Sequence, residues 1–501
     1  MKTTILLSCL APAALAAVQF DALYGDHMVL QQGRPVPVCG TTDTPGKAIS
    51  VTFGDVTVPA QVKGKKWQAV LPAQAVCAEG KSLTAKQGKD STELTDVVVG
   101  EVWIASGQSN MLFRMNQTPT GAADVAGQAH PNFRFHHAQP MVHTNNAPYG
   151  EAEFARLSSD GMYESQGWSV SGSGDSARMS AVGYWFGSQL AGMLGDTPVG
   201  VIHASLGGSE MAAWFPEKLM KKKYPELLGK SWLDSKYVSA WVRGRAGKNL
   251  GAKPDANHPY APGYLYAQGI KPWKKFPVAG VIWYQGESDA EIPDMKQNGA
   301  LLRDLITSWR SELTCGAKEK MPFIMVQLPR INDNTPLRAS WPEFRAMQDE
   351  IAAALPAVYS VNTIDLGSTN SDVHPPVKKE VGTRLAATAA KEVYGKDTPC
   401  DGPCLKEATA GAGNVTVTFD HAEGLTTTNG QAPACFELAG ADGKFAPAAA
   451  EIQGNKVVLT PQGMKGAPIQ VRYAWSVFVE PNLVNKDGLP ARAAAAIKVR
   501  R

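Results

Sequence analysis

The sequence predicts an α/β domain built on a parallel sheet, with a smaller β module before it and another after it. Between residues 99 and 396, apolar β-prone runs alternate with stretches of helical periodicity, which is typical of a parallel sheet covered by helices on both faces. Residues 18–98 and 397–501 instead show short alternating runs separated by turn residues, as in antiparallel β modules.

Residues 1–17 are typical of a secretory signal. Lys2 supplies the positive charge, residues 5–15 the apolar stretch, and alanines near residues 14–17 a small-residue cleavage site. The stretch is too short to span a bilayer, and no later apolar run reaches that length. We therefore expect a secreted protein that does not insert into a membrane.

The composition fits a globular protein. The chain has 501 residues, of which 44% are hydrophobic and 19% charged, enough for about two to four domains. The formal net charge is +3, and no long basic stretch occurs. This charge balance argues against nucleic-acid binding.

Six cysteines remain once the signal is removed, and an even number in an exported chain predicts disulfides. Cys39 and Cys77 fall in the first β module and form one predicted pair. Cys435 is predicted to pair with Cys400 or Cys404, and the sequence leaves that choice open. The Cys400-x-x-x-Cys404 spacing lacks a second pair of ligands, so no metal site is predicted there.

The two flanking modules are predicted from short strands. The module at residues 18–98 is expected to be sandwich-like, with turn signals such as Pro45-Gly46 between its strands. It contains no catalytic cluster. The predicted strands of both modules cover residues 29–30, 36–38, 49–53, 67–70, 415–419, 457–459 and 469–473.

The central domain carries the predicted parallel sheet. Its functional loops should gather beyond the carboxyl ends of the strands. The segment 215–262, rich in Lys, Trp, Tyr, Gly and Pro, breaks the alternation and is predicted to be an insertion over the site. Predicted strands cover residues 99–105, 199–204, 278–284, 323–328 and 358–366, and predicted helices cover residues 181–194 and 301–313.

A Ser-Gly-Gln-Ser-Asn stretch ends the first strand of this sheet. Gly107 permits a sharp turn, so Ser109 is expected at its crest, exposed as a nucleophile must be. Met111 stands where the Gly-x-Ser-x-Gly elbow has its second glycine. By itself the stretch also fits an ordinary turn with a helix-capping serine. The choice between a catalytic and a structural serine therefore depends on the residues at the other strand ends.

Acyl transfer needs a nucleophile, a base, an acid that orients the base, and donors for the oxyanion. His374 is the candidate base, because it follows Asp372 and precedes two prolines that open a helical pattern. Asp372 is the preferred acid. Asp365, at the end of the last predicted strand, and Glu287, in the loop after residue 284, are the alternatives.

The remaining strand ends supply donors for the oxyanion. Gly208 and the glycine before it let a backbone N–H approach the substrate oxygen with no side chain in the way. The Gln285 carboxamide can add a second donor, alongside the Ser109 N–H. Asn110 and Glu287 are the candidate substrate-binding residues.

Four ordered blocks resemble the motifs of the sialate O-acetylesterases, a branch of the SGNH-type hydrolases. Residues 26–31 resemble the start of the amino-terminal β module of the same family, and residues 472–475 and 485–490 resemble its carboxyl-terminal motifs, so the resemblance covers nearly the whole mature chain. The blocks are Gly-Gln-Ser109-Asn-Met, Ser205-Leu-Gly-Gly-Ser-Glu-Met-Ala-Ala-Trp214, Trp283-Tyr-Gln-Gly-Glu-Ser288 and Asp372-Val-His-Pro.

The resemblance implies a three-layer α/β/α SGNH-hydrolase-like domain over residues 99–396, flanked by the two β modules. It implies a serine mechanism, without metal or cofactor, that removes acetyl groups from sugar hydroxyls. The matching positions make Ser109 the nucleophile and His374 the base, and they place Gly208 and Gln285 at the oxyanion hole.

The chain departs from the family pattern at Leu206 and Ser209, where Trp-Gly-Gly-Thr is usual, and at Asp289, where asparagine is usual. These departures leave the sugar open. Sialic acid esters are the expected substrates, and acetylated xylan or another polysaccharide is the alternative. A carbohydrate-binding protein on a decayed esterase scaffold is a further alternative, although the retained serine, aspartate and histidine argue against it.

Overall fold

The computed structural model of the chain describes residues 18–501 except for residues 128, 229, 314–319 and 465. The predicted signal, residues 1–17, and Cys315 lie outside the described residues. Within the described part, no helix has both the length and the apolar character needed to cross a membrane.

The amino-terminal module consists of short, mostly antiparallel strands. One sheet has the order β1-β3-β7-β6, and a second group, β4, β5 and β8, joins a larger sheet. Alternating apolar side chains of both sheets are buried between them, including Val38, Phe53 and Trp67. The strands are β1 (Val18–Phe20), β2 (Val29–Gln31), β3 (Val36–Thr42), β4 (Ser50–Phe53), β5 (Val56–Pro59), β6 (Gln61–Lys63), β7 (Lys66–Leu71) and β8 (Cys77–Gln87).

One long strand, β9 (Asp90–Gly107), connects this module with the central domain. Its first half pairs with β8, and its second half lies within the parallel sheet. The predicted boundary between residues 98 and 99 falls inside this strand. The two units therefore share a strand, and no flexible linker separates them there.

The central sheet has the order β11-β10-β12-β9-β13-β14-β15. Every neighbouring pair is parallel except β10 with β11. The predicted run 358–366 is strand only as far as Val361. The further strands are β10 (Phe133–Pro140), β11 (Tyr163–Val170), β12 (Val199–Ser205), β13 (Gly280–Tyr284), β14 (Phe323–Val326) and β15 (Val358–Val361).

Helices cover both faces of this sheet. Trp103 and Ala105 of β9 belong to a core with α4 and α9, whereas Val102 and Ile104 belong to a core with α7 and α8. Alternate side chains of one strand thus enter opposite cores. The helices are α1 (Ser109–Leu112), α2 (Gly121–Gly127), α3 (Glu151–Leu157), α4 (Ala181–Leu194), α5 (Glu217–Lys223), α6 (Ala240–Leu250), α7 (Met295–Leu313), α8 (Trp341–Ala354) and α9 (Lys379–Glu392).

The carboxyl-terminal module is a closed barrel with the strand order β16-β17-β21-β20-β19-β22-β24. It has its own apolar core, which includes Phe436 and Tyr473. The strands of this module are β16 (Cys404–Ala410), β17 (Val415–Asp420), β18 (Thr426–Thr427), β19 (Phe436–Ala439), β20 (Phe445–Gln453), β21 (Lys456–Pro461), β22 (Gln470–Tyr473), β23 (Leu483–Val484) and β24 (Ala494–Arg500).

The predicted disulfides are not formed among the described cysteines. Cys39, Cys77, Cys400, Cys404 and Cys435 are free thiols. Cys39 lies on β3 and is paired with β7, whereas the Cys77 end of β8 is paired with β9 in the other sheet. The prediction failed because shared membership of a small module does not bring two cysteines together.

Candidate active site

A cavity of about 490 Å³ opens at the carboxyl edge of the parallel sheet. The segment 215–262 contributes part of its wall. The side chains that this segment contributes are Trp241, Arg245 and Tyr260. The predicted site residues that line the cavity are Ser109, Gly208, Glu287 and His374.

The serine turn is fixed to the loop that follows β13. Ser109 begins α1 directly after β9. The Gln108 N–H donates to the Tyr284 carbonyl (2.9 Å), and Gln108 Oε1 accepts from the N–H groups of Gly286 (3.3 Å) and Ser288 (3.4 Å). The Ser109 hydroxyl makes no hydrogen bond within the described part of the chain, so it is presented to the cavity without an internal partner.

His374 reaches the same cavity from the loop before α9. Its Nδ1 lies 3.4 Å from Asp372 Oδ1, which also accepts a hydrogen bond from the His374 N–H (2.9 Å). The Asp372 side chain is 62% exposed and the His374 side chain 37%. Asp372 therefore lies on the correct side of the ring to orient it, although water competes for its carboxylate.

The alternative acids are held elsewhere. Both oxygens of Asp365 accept hydrogen bonds from Arg384, each at 2.7 Å, and Asp365 does not line the cavity. Glu287 does line it, but its Oε1 accepts from Asn110 Nδ2 at 2.5 Å. Neither carboxylate is hydrogen-bonded to His374 within the described residues, so Asp372 is the acid that the geometry favours.

Asn110 is the centre of a buried network beneath the cavity. Its Oδ1 accepts from Lys378 Nζ (2.5 Å), and its Nδ2 donates to Glu287 and to the carbonyl of Val373 (3.0 Å), the residue before His374. A lysine only donates, whereas a carboxylate and a carbonyl only accept, so these partners fix the orientation of the amide. The network joins the serine turn, the loop after β13 and the loop that carries His374.

Lys378 is an unusual member of this network, because its side chain is almost fully buried. Burial lowers the pKa of the Lys378 ammonium to about 7, although the carboxylates of Glu287 and Asp372 act in the opposite direction. The ammonium also lies 5.0 Å from the ring centre of Phe113 and 5.5 Å from that of Tyr284, within cation–π range.

The glycine-rich turn lies against the nucleophile. A Cβ on Gly207 would lie 3.4 Å from the Cβ of Ser109. Gly208 has φ +74°, and a Cβ there would lie 2.8 Å from the Trp241 ring. Any side chain on Gly208 would therefore strain the backbone and enter the cavity wall.

Three predicted site residues, Asn110, Asp372 and Gln285, do not line the cavity, and of these only Gln285 has its side chain turned to partners outside the proposed triad and the Asn110 network. Its side chain is buried, and its amide donates to the Ser209 carbonyl (3.3 Å) and to the Asp289 carboxylate. Burial raises the pKa of Asp289 to about 7, while hydrogen bonds from the Gln285 amide and the Met211 N–H act in the opposite direction. The donor role expected for Gln285 lacks geometric support, because its amide hydrogens are directed at these two acceptors.

Several cavity residues escaped the sequence reasoning. His143, Arg245, Arg338 and Lys378 stand in no motif, and the first three are lining residues. Burial lowers the pKa of His143, and no side-chain acid partners it within the described chain. The one available signal concerns Lys378, which stands three residues before the buried Val381 of α9 and so falls on the same helical face.

Comparison with known proteins places this cavity within a family. A family model described as "Carbohydrate esterase, sialic acid-specific acetylesterase" matches residues 99–391. The chain is similar to the sialate O-acetylesterases of Rattus norvegicus (25% identity, 92% of this chain, 90% of the relative) and Homo sapiens (24%, 92% and 88%). A carbohydrate acetylesterase from Xanthomonas citri has a similar structure, with 29% identity, a TM-score of 0.75 and coverage of 96% of this chain and 99% of that one.

The Asn110 network predicts a specific mutational result. We expect Lys378→Met to lower kcat/KM for an aryl acetate by roughly 10- to 100-fold, because the loops carrying Ser109 and His374 lose their shared anchor. Lys379→Met is the matched control, since the adjacent Lys379 is exposed and packs on Trp185. Equal rates for the two variants would contradict the anchoring role.

Proposed function

Because the chain belongs to the sialic acid-specific acetylesterase family of carbohydrate esterases, we propose that Ser109 is its nucleophile and His374 its general base. The protein is a carboxylic ester hydrolase that removes O-acetyl groups from sugars. The observation that carries the proposal is the meeting of these two side chains, from opposite ends of the central domain, in one cavity at the carboxyl edge of the sheet.

The proposed reaction has two stages. Ser109 Oγ attacks the acetyl carbonyl while His374 accepts the hydroxyl proton, and the resulting tetrahedral intermediate carries an oxyanion. When it collapses, the ester bond breaks and His374 returns the proton to the departing sugar hydroxyl. A water molecule, deprotonated by His374, then attacks the acetyl-serine; the bond to Ser109 Oγ breaks, acetate is released, and His374 returns the proton to Ser109 Oγ.

Backbone donors are proposed to stabilise the oxyanion. The N–H groups of Ser109 and Gly208 make no hydrogen bond to another described group, and both residues line the cavity. Two such donors in a water-excluded site stabilise the charge that develops on the acetyl oxygen. The Gln285 amide would first have to leave Ser209 and Asp289, so we do not include it in this set.

Asp372 is proposed as the acid of the triad. A carboxylate 3.4 Å from Nδ1 holds the imidazole in one orientation and stabilises the imidazolium that forms when the base accepts a proton. Glu287 has a different proposed role: its Oε1 anchors Asn110, and the residue lines the cavity, where it is proposed to contact the substrate.

We propose that residues 99–396 form an SGNH-type domain of three layers, which the helices on both faces of the parallel sheet support. The module limits at 18–98 and 397–501, and export directed by residues 1–17, remain predictions from the sequence.

Two histidines line the cavity, which permits a matched test of the base. We expect Ser109→Ala and His374→Asn each to lower kcat for an aryl acetate by at least about 1,000-fold, since each removes a group that acts in the chemical step. His143→Asn should retain most of the activity, because His143 has no orienting acid. Acetate release by Ser109→Ala at the wild-type rate would refute the assignment of the nucleophile. Loss of activity in His143→Asn alone would show that His143, and not His374, is the general base.

One cationic residue of the cavity, Arg245, favours an acidic sugar as substrate. Arg338 is neutralised by Glu291 (3.2 Å) and Asp333 (3.3 Å). Arg245, within the described part of the chain, has no carboxylate at ion-pair distance: it donates to the Thr144 carbonyl (2.6 Å) and lies 4.9 Å from the centre of the Trp241 ring. A guanidinium held in place, with most of its donors unused, suits the carboxylate of a sialic acid.

Arg245 therefore predicts a substrate-dependent effect. We expect Arg245→Gln to lower kcat/KM for an O-acetylated sialic acid by about 10- to 100-fold, which is the loss of one charged hydrogen-bonded contact. The same change should alter hydrolysis of an aryl acetate less than about twofold, because that substrate has no carboxylate to lose. An equal loss on both substrates, or a higher wild-type rate on acetylated xylan than on the sialic acid ester, would overturn the preference.

A further inference from the structure

A second cavity, of about 520 Å³, lies at the other edge of the sheet. One wall is the β6–β7 hairpin of the amino-terminal module, and the other is residues 271–276. These residues precede β13, whereas Glu287 and the catalytic cavity follow it. The five residues of β13 span about 16 Å at the usual rise per residue, so the two cavities are separate.

Lysines from both walls converge on this second cavity, which we call the lysine cleft. Lys63 and Lys66 come from the hairpin, and Lys271 and Lys275 come from the facing segment. None of the four has a carboxylate at ion-pair distance within the described chain. Lys275 donates only to the neutral carboxamide of Gln68 (2.9 Å). A fifth lining lysine, at position 274, is paired with a glutamate and is left out of the count.

Little negative charge balances these lysines. Asp21 is the one carboxylate among the described residues that line the cleft. The four lysines and Asp21 give the cleft a formal charge of about +3. This equals the formal net charge of the whole chain, +3. A concave surface with one sign of charge raises the local concentration of oppositely charged ligands.

The floor of the cleft is apolar. Rings of Tyr24, Trp67 and Phe276 form it, and the polar atoms of the first two are satisfied internally: the Tyr24 hydroxyl donates to the Pro37 carbonyl (2.9 Å) and the Trp67 indole to the Thr41 carbonyl (3.0 Å). The three rings are at most 9% exposed, so a ligand meets ammonium groups around a small apolar floor. A saccharide with carboxylates presents both chemistries, C–H faces and anionic groups.

We propose that the lysine cleft binds an anionic glycan chain, such as one with several sialic acid carboxylates, at a distance from the catalytic cavity. This inference rests on the proposed function: such a chain is held while acetyl groups elsewhere on it reach Ser109. The cleft then lowers KM for polymeric substrates and leaves the chemical step unchanged. A nucleic acid is the less suitable occupant, because four charges within one short concavity cannot follow a long phosphate backbone.

The test is a binding titration of the full-length protein with fluorescently labelled polysialic acid at low ionic strength. The cleft variant is Lys63→Glu, Lys66→Glu and Lys275→Glu. The matched control is Lys47→Glu, Lys86→Glu and Lys89→Glu, exposed lysines of the same module that do not line the cleft. Both variants change the net charge equally, and a cleft variant with glutamine at the same positions guards against misfolding caused by charge reversal.

We expect the cleft variant to bind at least about 10-fold more weakly than the wild type, the sum of three modest surface ion pairs, and the control to change less than about twofold. Turnover of an aryl acetate should be the same in all the proteins, since no cleft residue touches the catalytic cavity. Equally weakened binding of polysialic acid by the cleft variant and the control would show that binding depends only on net charge, and would overturn the proposal. Absence of wild-type binding, or equally tight binding of single-stranded DNA, would also overturn it.

Discussion

The hydrogen bonds of Asn110 are the constraint on which the arrangement of the site depends. They connect three segments that are distant in sequence: the turn of Ser109, the loop of Glu287 and the loop that leads into His374. The charged partners on either side of the amide are both buried, and removing one of two buried opposite charges leaves the other without compensation. The balance of these two charges beneath the cavity therefore fixes the relative positions of the turn of Ser109 and the loop of His374.

Chemistry and selectivity come from different parts of the chain. The proposed nucleophile follows the end of β9, where the packed cores on both faces limit its movement. Three residues that line the cavity and are proposed to meet the rest of a substrate, Trp241, Arg245 and Tyr260, belong to the segment 215–262. Tyr260 ties the two parts together, because its hydroxyl donates to the Gly207 carbonyl at 2.9 Å. Such a division lets the covering segment change while the catalytic groups stay fixed.

Sequence periodicity was sufficient for most of the architecture, because long apolar strands and amphipathic helices leave strong patterns. The helix over residues 181–194 was predicted with the bounds that the structure gives it. The direction of a side chain could not be predicted in this way. Gln285 follows a strand end as expected, but its amide donates to Asp289, four residues later, and does not point into the cavity. Lys378 was missed because a buried lysine looks like a surface one in sequence. The closure of the carboxyl-terminal barrel and the continuity of β9 depend on pairing between strands that are distant in sequence. Local sequence patterns do not predict such pairing.

The central claim is that the serine at the end of β9 forms a covalent acyl-enzyme with the help of the histidine before α9. The most direct measurement is peptide mass spectrometry after reaction of the folded protein with a fluorophosphonate, which labels only activated serines. The account predicts one adduct, on the peptide that contains Ser109, and its loss in a His374→Asn protein. An adduct on a different serine, or full inactivation with Ser109 unmodified, would contradict it.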